Sequence, residues 1–194
     1  YKLFKKLNLI CLIFYDKSPR NISIEQAKIL QNISQNFKIN GVGVFVNLDI
    51  KKIKEYVNHL ELSFIQLHGE ENNKYIKEIK KMNVKIIKKI SIENKDDLKR
   101  TSDFEDADFF LFDYKPNKNE LPGGNAKSFN WNILKYLKIN KPWLLSGGVN
   151  LDNILSIKTK IKPYGVDLSS GVEKELGIKD NHIINNFIGK LNNA

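Results

Sequence analysis

Apolar residues in this chain fall into two alternating patterns. Seven short runs are dense in β-branched, leucine or aromatic residues: 8–14, 42–46, 64–68, 84–90, 108–113, 143–147 and 164–169. Runs of this kind, bounded by Gly, Asn, Pro or Ser, read as strands. Between them the apolar positions come every three or four residues, the spacing of one helix face. Ser23-Ile24-Glu25-Gln26 opens the first helix as a capping box, with Ala27, Leu30 and Ile33 following on one face. Ile50, Ile53, Val57 and Leu60 mark the next helix. Further helices are expected over 71–82, 93–101, 129–137 and 151–158. The last is expected over 180–191, where Ile183, Ile184, Phe187 and Leu191 form a stripe.

Strict alternation of strands and helices calls for a parallel sheet with helices outside it. Phe109-Phe110-Leu111-Phe112 is apolar at every position, so that strand is buried on both faces, as in a parallel barrel. An open doubly wound sheet would carry its phosphate loop after the first strand, and no GxGxxG or Walker-type loop stands there. The expected fold is therefore α/β, a (β/α)8 TIM barrel, with residues 1–194 forming one domain. Such barrels spend about 30 residues on each βα unit, and the seven units counted here are one short. The first strand and part of the first helix are expected to be missing, and the chain opens on Tyr1 instead of Met. On this reading the natural protein extends N-terminally by half a βα unit to a whole one. Without that strand, 8–14 and 164–169 would carry unpaired backbone edges and the chain would be poorly stable.

Composition narrows the possibilities. With 194 residues, 41% hydrophobic and 28% charged, the chain is neither disordered nor fibrous. Its one cysteine, Cys11, rules out an internal disulfide framework and fits a cytoplasmic protein. No stretch nears the roughly 18 apolar residues of a membrane span. Tyr1-Lys2-Leu3-Phe4-Lys5-Lys6 ahead of an apolar run has the outline of a signal peptide. However, Asn8 interrupts the run, no small-residue cleavage site follows, and Lys17-Ser18-Pro19-Arg20 is a turn, so a buried strand is the preferred reading. A net charge of +10 would suit nucleic acid, but the lysines are scattered along amphipathic segments. They read as a solvated surface that also attracts an anionic substrate, with no nucleic acid or membrane as partner. Three histidines without HxH or CxxC spacing offer no metal site, and no nucleophilic triad stands out.

In a (β/α)8 barrel the chemistry gathers where strands end. Trp143-Leu144-Leu145-Ser146-Gly147-Gly148 and Tyr164-Gly165-Val166-Asp167-Leu168-Ser169-Ser170-Gly171 each run from an apolar strand into small residues. Gly lets a backbone approach an anion without a Cβ in the way, and loops after the last two strands are where barrels hold phosphate. Ser146, Gly147, Gly148, Ser169, Ser170 and Gly171 are thus the expected phosphate site, and the ligand a phosphorylated small molecule. Asp113 closes an apolar strand, where desolvation raises a carboxyl pKa and suits a general acid. A cap or loop hydrogen bond is its plainer role. The segment from Lys115 to Lys127, with Pro122-Gly123-Gly124, is long enough for a lid or for a surface loop. Arg20, in the turn after the first strand, either clamps a carboxylate or is a surface residue. His68 ends a strand ahead of Gly69 and is either structural or part of the site. Asp167 lies inside the last strand, where it supports the phosphate loop or contacts the substrate.

These residues stand in the order of a known family. Phe14-Tyr15-Asp16-Lys17-Ser18-Pro19-Arg20, Gly43-Val44-Phe45-Val46-Asn47 and Ile65-Gln66-Leu67-His68-Gly69-Glu70-Glu71 come first. Leu111-Phe112-Asp113, then Gly123, Gly124, Lys127, Phe129 and Trp131, and Leu145-Ser146-Gly147-Gly148 follow. Val166-Asp167-Leu168-Ser169-Ser170-Gly171-Val172-Glu173, Gly177 and Lys179-Asp180 close the series. Over essentially its whole length the chain resembles phosphoribosylanthranilate isomerase of tryptophan biosynthesis. The resemblance implies a cofactor-free Amadori rearrangement of N-(5-phosphoribosyl)anthranilate to 1-(2-carboxyphenylamino)-1-deoxyribulose 5-phosphate, in a cytoplasmic monomer or homodimer. It implies that Asp113 is the general acid that protonates the furanose ring oxygen and that Arg20 holds the anthranilate carboxylate. By the same likeness Ser146-Gly147-Gly148 and Ser169-Ser170-Gly171 are the phosphate loops, and His68 and Asp167 line the pocket.

The family's general base is a cysteine in a Lys-Ile-Cys-Gly-type motif on the first strand, and this sequence has no such motif. Cys11 stands where the family usually has Gly and is expected to pack against its neighbours. Ala126 and Asn130 replace the usual Gly and Asp of the lid motif. Two other functions are weighed beside the isomerase: a degenerate or truncated member that binds a phosphorylated ligand without turnover, and a nucleic-acid-binding domain. Among related barrels, an indole-glycerol-phosphate-synthase-like enzyme is disfavoured by Gln66-Leu67-His68-Gly69.

Overall fold

Strands and helical segments alternate throughout the computed structural model, which describes residues 7–192. The signal-like opening, residues 1–6, lies outside the described residues. The chain forms two compact units, one ending at Lys88 and taking in Asp103–Asp108, the other holding Lys89–Ser102 and the chain from Phe109 onward.

The first unit is built from β1 (Leu9–Ile13), α1 (Ile24–Asn36), β2 (Asn40–Phe45), α2 (Ile50–Leu60), β3 (Phe64–Leu67), α3 (Asn73–Lys80) and the start of β4 (Lys85–Ile92). The strands pair in parallel, β1 with β2, β2 with β3 and β3 with β4. The capping box forms as its sequence predicts, Ser23 Oγ accepting from Gln26 N at 3.2 Å and Gln26 Oε1 from Ser23 N at 2.9 Å. The buried face of α1 differs from the predicted one. Ala27, Gln31 and Ser34 face inward, while Leu30 and Ile33 are exposed. Gln31 fills the space that a side chain at Gly41 of β2 would need, its Oε1 lying 2.0 Å from a Cβ built there. A second correction falls on β1, where Leu12 is buried and Cys11 is exposed. Successive strand residues point to opposite faces, so burying Leu12 turns the thiol outward. α2 follows its periodicity, with Ile53, Val57 and Leu60 inward and Asp49 Oδ1 capping Lys51 N at 2.8 Å.

The second unit carries β5 (Phe109–Tyr114), β6 (Trp143–Leu145) and β7 (Gly165–Val166), again parallel, β5 with β6 and β6 with β7. Phe110, Leu111 and Phe112 are fully buried, as an unbroken apolar strand requires. The helices expected over 93–101 and 129–137 are 3-10 turns, Lys95–Phe104 and Trp131–Tyr136. Asp97 Oδ2 accepts from both Glu93 N and Asn94 N, which fixes the start of the first in a tight turn. The helix expected over 151–158 is α4 (Ile154–Ser156), continued by a π turn over Ile157–Ile161. A short antiparallel hairpin, β8 (Glu173–Glu175) and β9 (Ile178–Lys179), precedes the final helix, α5 (Asn181–Asn192). β6 and β7 end earlier than the runs 143–147 and 164–169, so Asp167 follows β7 instead of lying inside a strand.

Candidate active site

The strand ends of the second unit turn into loops without losing their ladder. Ser146 N donates to Phe112 O and Asp167 N to Leu145 O, both at 2.8 Å. Each loop therefore leaves its strand in a fixed direction. Asp113, Ser146, Gly147, Gly148 and Asp167 line one pocket together with Ser169, Ser170 and Gly171. Every residue that the sequence assigned to this end of the second unit is thus brought to one place.

At Gly147 and Gly171 the structure leaves no room for a side chain. Gly147 has φ +80, and a Cβ there would stand 3.0 Å from Asp113 Oδ1 and 3.2 Å from Lys127 O. The loop after β6 is therefore pressed against the carboxyl group and the long loop after β5 at once. A Cβ on Gly171 would stand 2.0 Å from Val149 O, so the loops after β6 and β7 pack backbone against backbone.

Asp113 lies one residue before the end of β5 and is 5% exposed. Its Oδ1 accepts from Tyr114 N at 2.8 Å, which is the plainer loop bond anticipated from sequence. The same bond fixes the carboxyl group at the pocket wall. Gly124, Asn125, Ala126 and Lys127 close another side of the pocket. Their loop is tied down by Lys89 Nζ, a buried ammonium that donates to Pro122 O at 2.6 Å. Ala126, where the resembling family usually has Gly, takes a left-handed φ of +56. Asn130 still performs a capping role, its Oδ1 accepting from Asn132 N at 3.1 Å. Lys127 pairs with Glu120, and that carboxylate holds its ammonium pKa above the ordinary lysine range.

Sequence reasoning missed the residues that brace these loops. Asn153 Nδ2 donates to Gly148 O at 2.8 Å, and Asn150 Oδ1 accepts from Asp152 N at 2.9 Å and Asn153 N at 3.2 Å. The spacing Asn150-Leu151-Asp152-Asn153 is an Asx-turn signal that could have found them. On the other loop, Lys179 Nζ donates to Ser169 O at 2.8 Å while paired with Glu173 at 2.7 Å. Lys179→Met removes that brace. The expected result is about fivefold weaker binding of inorganic phosphate, the loss of one half-exposed charged hydrogen bond worth about 1 kcal/mol. Titration with phosphate followed by amide NMR checks this, and unchanged affinity rejects the bracing role.

Arg20 and His68 belong to the first unit. Arg20 is half-buried in the turn after β1, where Ser18 Oγ accepts its backbone N–H at 3.2 Å. His68 follows β3, its N–H donating to Phe45 O at 2.9 Å. Gln66 Nε2 stands 3.0 Å from His68 Nδ1, and with the amide as donor the ring proton sits on Nε2. Among the described residues, no cluster of His, Cys, Asp and Glu could hold a metal ion, and no helix is long and apolar enough to cross a membrane.

A family model described as N-(5'phosphoribosyl)anthranilate (PRA) isomerase matches residues 4–190. The N-(5'-phosphoribosyl)anthranilate isomerase of Thermoanaerobacter sp. (strain X514) is 40% identical over 177 residues, which cover 91% of this chain and 84% of that protein. Phosphoribosyl anthranilate isomerase from Thermotoga maritima superposes with a TM-score of 0.83 at 32% identity, covering 96% of this chain and 89% of that one. A phosphoribosyl anthranilate isomerase solved in complex with reduced 1-(o-carboxyphenylamino)-1-deoxyribulose 5-phosphate gives a TM-score of 0.80 at 31% identity, over 96% and 88%. Likeness at this level carries the α/β fold class of the TIM-barrel isomerases to this chain.

Proposed function

The chain belongs to the N-(5'-phosphoribosyl)anthranilate isomerase family of tryptophan biosynthesis, and from that membership we propose that it performs the family's Amadori rearrangement on N-(5'-phosphoribosyl)anthranilate in the cytoplasm. The observation that supports this most is the convergence, within one unit, of a buried carboxyl group and two small-residue loops on one pocket. The loops of Ser146-Gly147-Gly148 and Ser169-Ser170-Gly171 take the 5'-phosphate on backbone N–H groups and hydroxyls. Arg20 holds the anthranilate carboxylate through its guanidinium fork. Asp167 lines the pocket beside these loops, and by the family's likeness His68 is a substrate-contacting residue.

Asp113 gives its proton to the furanose ring oxygen. The bond from that oxygen to C1′ breaks as the anthranilate nitrogen lone pair forms the C1′=N bond of a protonated Schiff base. Loss of the C2′ proton to a base then gives the enolamine, and proton return at C1′ with loss of the C2′ hydroxyl proton gives the ketose product. The protein needs no electron donor or acceptor for these steps, because the rearrangement conserves oxidation level over the molecule.

Turnover is followed by the fluorescence of the anthranilate moiety, both on residues 1–194 and on the protein as its cell makes it. Conversion of N-(5'-phosphoribosyl)anthranilate supports the proposal. Binding of the phosphorylated analogue without conversion in either sample supports the second reading, a ligand-binding relative. That reading has its own observation: the thiol of Cys11 faces outward on β1. Steep salt-dependent binding to random DNA, with no phosphate-ester binding, would overturn both.

A further inference from the structure

Two strand ends of the first unit and a lysine within β4 meet at one carboxylate that the steps above leave unused. Glu71 Oε1 accepts from Asn47 N, after β2, at 2.8 Å. Its two oxygens accept from Gly69 N, after β3, at 3.3 and 3.0 Å. Lys88, in β4, pairs with Glu71 Oε2 at 2.7 Å, and both side chains are only 1% exposed. The same ammonium donates to Gly69 O at 2.7 Å and stands 5.2 Å from the Phe104 ring centroid. Asn47 completes the circle, its Oδ1 accepting from Glu70 N at 2.7 Å. Both backbone groups of Gly69 and the next N–H are therefore held. Asn47 itself sits at φ +50, and a Cβ on Gly69 would lie 2.3 Å from its Oδ1. The loop that begins at His68 is held at each of these points.

An ion pair buried this deeply is a poor source of stability, because desolvation offsets the attraction and a well-packed apolar pair does as well. What the charged pair supplies and an apolar pair does not is a set of hydrogen bonds to loop backbone. We propose that Glu71 and Lys88 are positioning residues for the isomerase reaction. They lock the loop after β3 so that His68, in the tautomer set by Gln66, meets the substrate in one orientation. Neither side chain touches the substrate. The inference rests on the reading of His68 as a substrate-contacting residue.

Glu71→Gln keeps the shape and an oxygen acceptor but removes the charge, and Lys88→Met keeps the stem but removes the ammonium. Both are made in the full chain and compared with wild type by circular dichroism, kcat, KM and the 15N signals of the His68 ring. The expected result is folded protein, a kcat lowered about tenfold or more, and a KM changed by less than about threefold. The His68 signals, a single Nε2–H tautomer in wild type, move toward the tautomer average. Folded variants with wild-type kcat and wild-type His68 signals overturn the proposal. Should wild type itself show no turnover, the enzymatic reading falls, and unchanged His68 signals in the variants then overturn the positioning role separately. Should Glu71→Gln fail to fold, Lys88→Met carries the same test, because it leaves Glu71 bonded to Asn47 and Gly69.

Discussion

Asp113→Asn is expected to lower kcat for N-(5'-phosphoribosyl)anthranilate by about 10²- to 10⁴-fold and to leave the fold intact. The range is what a positioned general acid contributes when proton transfer accompanies bond cleavage. The fold survives because the carboxamide oxygen takes over the bond that Asp113 Oδ1 accepts from Tyr114 N, at the same 2.8 Å reach. The volume is unchanged beside the Gly147 backbone, where a Cβ would already be 3.0 Å away. What is lost is the acidic proton, since an amide N–H does not protonate a ring oxygen. Substrate affinity is expected to change little, because the proposed phosphate and carboxylate contacts are made by other residues. Initial rates from anthranilate fluorescence, with a thermal melt as control, read this on the protein as its cell makes it. A kcat within about threefold of wild type would remove Asp113 from the chemistry.

Gly171→Val has the second large effect. Its Cβ would stand 2.0 Å from Val149 O and 3.3 Å from Asn150 Cα, and the first contact is with backbone that no rotamer change can relieve. The loops after β6 and β7 must separate, and the N–H and hydroxyl groups proposed to hold phosphate no longer converge. Affinity for inorganic phosphate is expected to fall by about 100-fold or more, equivalent to about 2.7 kcal/mol. Stability is expected to fall by about 1–3 kcal/mol, the usual cost of overpacking. Gly189→Ala, on α5, is the control, because a Cβ there meets nothing within 4 Å and Ala favours helix. If Gly171→Val binds phosphate as wild type does, the two loops are not one binding surface.

Local signals in the sequence carried most of the architecture. The capping box at Ser23, the periodicity of α2 and the unbroken apolar run of β5 are each decided within a few residues, and each forms as expected. The inward face of α1 was not legible, because it is set by the fit of Gln31 over Gly41, a contact between elements. At the candidate site the small residues were legible as loops, since Ser and Gly after an apolar run have few other uses. The buried Lys88 was not. In Lys85-Ile86-Ile87-Lys88-Lys89-Ile90 a lysine reads as solvent-facing, and its partner Glu71 lies 17 residues away on another strand end. The strand ends of β6 and β7 were placed too late for a related reason. Loop backbone continues the ladder through Ser146 and Asp167, so hydrogen bonding outlasts the strand geometry.

The outward thiol of Cys11 has a practical consequence for anyone handling the protein. It is the only sulfhydryl in the chain and it stands exposed on β1. Oxidation of this thiol would join two copies, so a doubled mass on a non-reducing gel that collapses with dithiothreitol would report a disulfide and not quaternary assembly. The same solitary thiol gives a single attachment point for a maleimide dye, on a strand of the first unit and remote in sequence from the loops after β6 and β7.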